Sequence, residues 1–269
     1  MTRENPAPVS LYQQKDQGLT LDSRFQFHCH AGLPCFNQCC RTPTIILSPY
    51  DLLCLKQGLG ISSRELLERY TRREIEEWSG LPIIFLDPFK TEEPGCPFLG
   101  AEGCMVYENR PAACRLFPIT MGSQLTEQGM VDYYFCRQLD YCQGFAGDRE
   151  WTLGTWMADQ GFAEYHEERR GWLDVLLKMG LRGPQGVDEE LQNLFAALAY
   201  DLDTFRKLVE QPDFLEVINL GGGPAPYLHL DDLKFLKLSY ECLKALLFED
   251  RAGFLLAVRQ GLNNTVERG

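Results

Sequence analysis

The sequence predicts a mainly α-helical protein with a minor β element, arranged as a cysteine-rich part followed by a helical one. Three observations predict it. Ten of the eleven cysteines fall between Cys29 and Cys142. After residue 188, apolar residues recur at helical spacing. Among the cysteines, two compact apolar runs, Leu81 to Leu86 and Met130 to Phe135, read as short strands. The expected organisation is an N-terminal extension over 1–24, a cysteine-rich domain over 25–148 and an α-helical C-terminal domain over 149–269.

Each element has a local reason. Ser48-Pro49 starts a short helix with Asp51 in its first turn, where the helix dipole favours a carboxylate, and Gly58 ends it. Ser62 to Glu65 is a capping box for a second helix, with Leu66, Leu67, Tyr70 and Trp78 as its buried side. Cys54, in the first of these helices, belongs to the core. Asn109-Arg110-Pro111 opens a helical turn that carries Cys114. Trp151 to Met179 reads as helix in pieces, interrupted at Gly154, Gly161 and Gly171. Asp188 to Glu210 is the clearest helix, with Leu191, Leu194, Phe195, Leu198, Leu202, Phe205 and Val209 on one face and Pro212 beyond it. Gly221 to Pro226 is a loop without a phosphate-cradle pattern. Asp231 or Asp232 caps a further helix striped by Leu233, Leu236, Tyr240, Leu243 and Leu247. On it Cys242 packs with Phe235, Leu238 and Leu246. Arg251 to Leu262 adds a last short helix.

Composition excludes several classes of function. A net charge of −12 and a pI near 4.9 argue against sequence-independent binding to nucleic acid or anionic lipid. No apolar run reaches the roughly 18 residues a membrane-spanning helix needs. The first residues, MTRENPAPVSLYQQKDQG, carry charges and lack the apolar stretch of a secretory signal, so the cytoplasm is the expected compartment. Thiols stay reduced there, which removes the disulfide reading. No Ser-His-Asp, H-E-x-x-H or G-x-S-x-G pattern supports a hydrolase, and Glu164, Glu167 and Glu168 read as a solvated helix face.

The cysteines therefore read as metal ligands, and the cysteine-rich domain as a metal-binding one. Thiolates are soft donors that select zinc, copper(I) or iron–sulfur clusters. Their spacings are Cys29-x5-Cys35-x3-Cys39-Cys40 and Cys96-x7-Cys104-x9-Cys114, with Cys142 further on. Zinc sites favour C-x2–4-C pairs, and only Cys35-x3-Cys39 fits. Adjacent Cys39 and Cys40 point apart in an extended chain, which suits a multi-iron or two-metal centre better than one zinc ion. An iron–sulfur cluster is the favoured reading, with zinc as the alternative. Cys136 is a spare thiol near Cys142. His28 and His30 bracket Cys29 but share the opposite face, and His166 sits in a charged stretch that looks solvated. His229 precedes a helix without ligand-type neighbours.

The string C…C…CC-R, then Asp51, then G-C-P-F-L…C-x-x-Y-x-x-R-P-x-x-C-R-x-F-P, then C-x-G resembles the YkgJ-type CxxCxxCC cysteine-cluster family, a zinc- or iron-chelating domain. The flagellin lysine N-methylase is a relative. The resemblance covers about Phe25 to Gly147, and its first block has gaps of five and three where the family name has two of two. It implies Cys29, Cys35, Cys39, Cys40, Cys96, Cys104, Cys114 and Cys142 as ligands, and also marks Asp51, which its place at a helix start explains by itself. Arg110 and Arg115 flank the thiols as hydrogen-bond donors to an anionic centre, with Arg41 weaker in that role.

Three functions follow. The first is an iron–sulfur protein for electron transfer, sensing or protein maturation. The second is a zinc-stabilised adaptor whose helical C-terminal half binds a protein partner. The third is an S-adenosylmethionine-dependent lysine methylase, against which stands the lack of a glycine-rich strand–helix turn.

Overall fold

The computed structural model describes residues 18–41, 43–90, 94–210 and 229–248 of the 269. Helix predominates, and the strands form small antiparallel sheets, as the sequence leads one to expect. Strand β1 (Arg24–Gln26) pairs with β9 (Glu150–Thr152), setting Phe25 opposite Trp151. A three-stranded sheet has the order β2 (Ile46–Leu47), β4 (Pro82–Leu86), β3 (Thr71–Ile75). A short hairpin joins β5 (Leu99–Gly100) to β6 (Gly103–Cys104), and a longer one joins β7 (Ile119–Thr126) to β8 (Gly129–Cys136). The helices are α1 (Pro49–Leu59), α2 (Ser63–Tyr70), α3 (Ala112–Leu116), α4 (Leu153–Asp159), α5 (Phe162–Arg182), α6 (Glu189–Tyr200), α7 (Leu202–Val209) and α8 (Asp232–Phe248).

Two apolar clusters hold these elements. The larger takes Leu47, Leu52 and Leu55 from β2 and α1, Ile83 and Ile84 from β4, and Leu194, Phe205 and Leu243 from α6, α7 and α8. The smaller gathers Phe27, Leu116, Ile119, Trp151, Trp156 and Phe162. Both draw side chains from either side of residue 148. Burying each such side chain contributes about 1.5–3 kcal/mol.

Several elements differ from expectation. Helix α1 runs past Gly58 to Leu59, and Gly60 caps it in the left-handed conformation. A side chain at Gly58 would strike Asn109, so this glycine marks a close approach, not a stop. Helix α2 ends at Tyr70, where the chain turns into β3, so Trp78 lies off the helix and rests its ring over α5 at Gly180. Residues 188–210 form two helices, because Asp201 breaks the run and caps α7 through Thr204. Residues 151–179 hold the end of β9, α4 and most of α5. Gly171 does not interrupt α5, since its bare Cα lies under the Tyr240 ring. Of the nine strands among the described residues only β4 and β8 were anticipated, so the β content exceeds the minor element expected. Pro212, the Gly221–Pro226 loop and the helix over 251–262 lie outside the described residues.

Candidate metal centre

The first group of thiols is brought together by the end of β1 and a turn that follows β8. Phe27 is buried, its ring edge-on to Phe117 and Trp156, and this anchors the chain two residues before Cys29. The N–H of His28 donates to the Gly144 carbonyl at 2.8 Å, and that of Phe27 to Arg149 at 3.0 Å. A Cβ on Gly144 would fall 2.6 Å from the Phe27 ring, and one on Gly147 would fall 2.8 Å from His28 Cβ. Only glycine lets the 142–147 turn lie so directly on residues 27–28. The backbone N–H of Gln143 then donates to Cys35 Sγ at 3.2 Å. Cys29, Cys35 and Cys142 share one neighbourhood, with Cys39 beside them.

The second group is tied to the same loop at its other end. Asn37 takes a left-handed conformation, φ 63°, and leads into a 3-10 turn over Gln38–Cys40. The sulfurs of Cys39 and Cys40 stand 4.0 Å apart. The Cys96 N–H donates to the Cys40 carbonyl at 2.7 Å. Buried Phe98 anchors the β5–β6 hairpin, which places Cys104 opposite Leu99. Buried Ala112 and Leu116 hold α3 down, so Cys114 faces out toward Cys96, Cys104 and Cys40.

Burial, and then the nearness of other thiols, sets the acidity of most of these cysteines. Desolvation, then the neighbouring Cys39, Cys142 and Cys35, pushes Cys29 up to about 11. Burial, with Cys104 and Cys39 beside it, takes Cys96 to about 11. The shared hydrogen bond between Cys39 and Cys40 lowers Cys39 to about 7 and raises Cys40 strongly. Cys114 keeps surface exposure yet is raised too, first by the protein packed around it and then by Cys96, Cys104 and Cys39. Thiols that resist ionising because they are desolvated, and only then because they crowd one another, are the groups a cation stabilises, and binding must displace their protons. Among the described residues, no three His, Cys, Asp or Glu donors already stand at the spacing of a single ion. The donor set suits a soft metal in its chemistry.

The remaining candidates are placed as follows. Cys136 ends β8, packs on the smaller cluster and has Cys142 as a neighbour. Cys54 is half-buried between Tyr50 and Tyr165, and Cys242 is buried in the larger cluster. The rings of His28 and His30 lie 4.7 Å apart, and His30 Nδ1 accepts from the Gly32 N–H. Arg41 is exposed. Arg110 is buried, packs over the Tyr107 ring and donates to the Tyr107 carbonyl and Gln160 Oε1. Arg115 packs over Tyr165 and donates to the carbonyls of Gln160 and Glu108. His229 lies in an exposed turn.

His166 corrects the sequence reading. It is buried, stacks on Phe162 and hydrogen-bonds Asp132 at 2.9 Å, because α5 turns that position inward against β8. Asp51 is more than a helix-start acid. Its Oδ2 accepts from the Ser48 N–H and hydroxyl, while its Oδ1 accepts from the Ala112 N–H at 2.7 Å and the Tyr165 hydroxyl at 2.9 Å. The helix-start carboxylate was visible in the sequence; its capping box with Ser48 and its reach to Ala112, two residues before Cys114, were not. Gln160, which receives both arginines, gave no sequence signal.

Residues 28–142 match the CxxCxxCC family model, described as "Putative zinc- or iron-chelating domain". The match covers less than half of the chain and makes the cysteine-rich segment similar to a metal-chelating class, which its thiol donors suit in their chemistry. Searches of curated proteins and of solved structures found no match.

Proposed function

We propose that the CxxCxxCC segment holds iron as an iron–sulfur cluster serving electron transfer, sensing or protein maturation in the cytoplasm. The observation that carries this reading is that thiols from residues 29–40, 96–114 and 142 are neighbours of one another, on segments that lean on two packed cores. When bound, such a cluster supplies one-electron chemistry, with its potential set by charge and hydrogen bonding around the sulfurs. Arg110, whose charge lies near Cys104, supplies positive charge beside the thiols, whereas Arg115 spends its donors on the carbonyls of Gln160 and Glu108. The helical C-terminal half is the surface for a protein partner. Zinc is the second reading, supported by the family description and the Cys35-x3-Cys39 spacing. Anaerobic purification followed by absorption spectra and iron, sulfide and zinc analysis separates the two. Brown protein with stoichiometric iron and sulfide supports the cluster. Colourless protein with zinc overturns it in favour of the adaptor, and absence of bound metal overturns both.

A further inference from the structure

The eight thiols are not spread evenly over one site. The segment carrying Cys29 and Cys35 is hydrogen-bonded to the turn carrying Cys142, through His28 to Gly144 and Gln143 to Cys35. The segment carrying Cys96 is instead hydrogen-bonded to Cys40, and the β5–β6 hairpin sets Cys104 next in line. The two groups also lean on different cores: Cys142 packs against the smaller cluster, Cys96 and Cys104 against the larger. Cys39 and Cys40 lie where the groups meet, on a 3-10 turn that sets their sulfurs 4.0 Å apart.

We propose that the centre comprises two adjacent four-thiol sites, Cys29/Cys35/Cys39/Cys142 and Cys40/Cys96/Cys104/Cys114, joined at the Cys39–Cys40 peptide. Cys39 lies near both groups and belongs to the first by count. Cys40, Cys96, Cys104 and Cys114 already number four without it, whereas Cys29, Cys35 and Cys142 number three. Four thiolates complete a tetrahedral zinc site or a cluster of the cubane or diamond type, so each group suffices for one centre. Both sites would take the same soft metal chemistry, and the partition rests on the reading that these thiols hold metal.

Cobalt(II) titration of metal-free, reduced protein under anaerobic conditions tests the partition through the thiolate-to-cobalt absorption. The wild-type chain should saturate at two equivalents. Cys142→Ser and Cys39→Ser should each saturate at one, as should Cys104→Ser, and iron content of the variants purified anaerobically should fall to about half. Saturation of the wild-type chain at one equivalent overturns the partition without needing any variant to fold. So does loss of all metal in Cys39→Ser, which would mean that its sulfur serves both groups in one joint centre. Two full equivalents in Cys142→Ser or Cys104→Ser remove that residue's assignment and with it the partition. A wild-type chain that binds neither cobalt nor iron overturns metal binding itself.

Discussion

Asp51 shows how one side chain connects the cores to the thiols. All four groups facing its carboxylate are donors: the Ser48 N–H and hydroxyl, the Ala112 N–H and the Tyr165 hydroxyl. Arg169 adds positive charge at 3.9 Å. An amide cannot replace this arrangement, because its NH2 would confront a backbone N–H whichever way it turned, that of Ser48 or that of Ala112. Asp51→Asn should therefore cost about 2–4 kcal/mol, in line with buried hydrogen bonds to a charge that are lost and left unsatisfied. Thermal unfolding measures that cost. Metal analysis of the same variant should show weakened retention, because the Ala112 bond fixes the start of the helix that carries Cys114. Unchanged stability would mean that the carboxylate is no more than the helix-start acid its sequence position suggests.

At the scale of elements, ion-paired carboxylates govern how the helices dock. Burial works to raise Asp132, but hydrogen bonds from His166 and Ser123 outweigh it and leave it below the usual carboxylate range. Asp203 is likewise lowered, with Lys56 and the Ser63 N–H prevailing over burial. A lowered folded-state value contributes stability that is complete above the unfolded value of about 4 and lost as pH falls through the folded one. The urea midpoint should thus hold steady from neutrality to about pH 4 and decline below it, and Asp132→Asn should flatten part of that decline. The same elements show what a sequence can disclose. Leu81 to Leu86 was legible as a strand because both its faces are largely buried and apolar. Strand β3, Thr-Arg-Arg-Glu-Ile, was not, since an edge strand with charged side chains reads like the helix that precedes it. Strand β7 mixes Thr, Gly, Ser and Gln and shows its character only beside β8. Asp201 splits a run whose apolar period continues on both sides, so periodicity alone reads it as one helix.

Across the whole molecule, the thiols were legible and their grouping was not. Spacing places cysteines along the chain, but the contact of Cys142 with Cys35 depends on Gly144 and Gly147, which look like ordinary loop residues until the Phe27 ring is seen beneath them. Metal free energy becomes folding free energy where the site forms only in the folded chain. Chelation should therefore raise hydrogen exchange in the loops around 29–41, 95–114 and 137–147, while α6, α7 and α8 keep their protection through the larger cluster. Equal protection of those loops with and without metal would disprove this linkage.

Tyr50 gives the fold a mechanical property. It packs against both clusters and sets its ring edge against Tyr165, and the next residue, Asp51, holds the start of the Cys114 helix. The first turn of α1 is thus the joint at which the two cores and the helix that carries Cys114 are fastened together, so shortening Tyr50 should loosen all three at once.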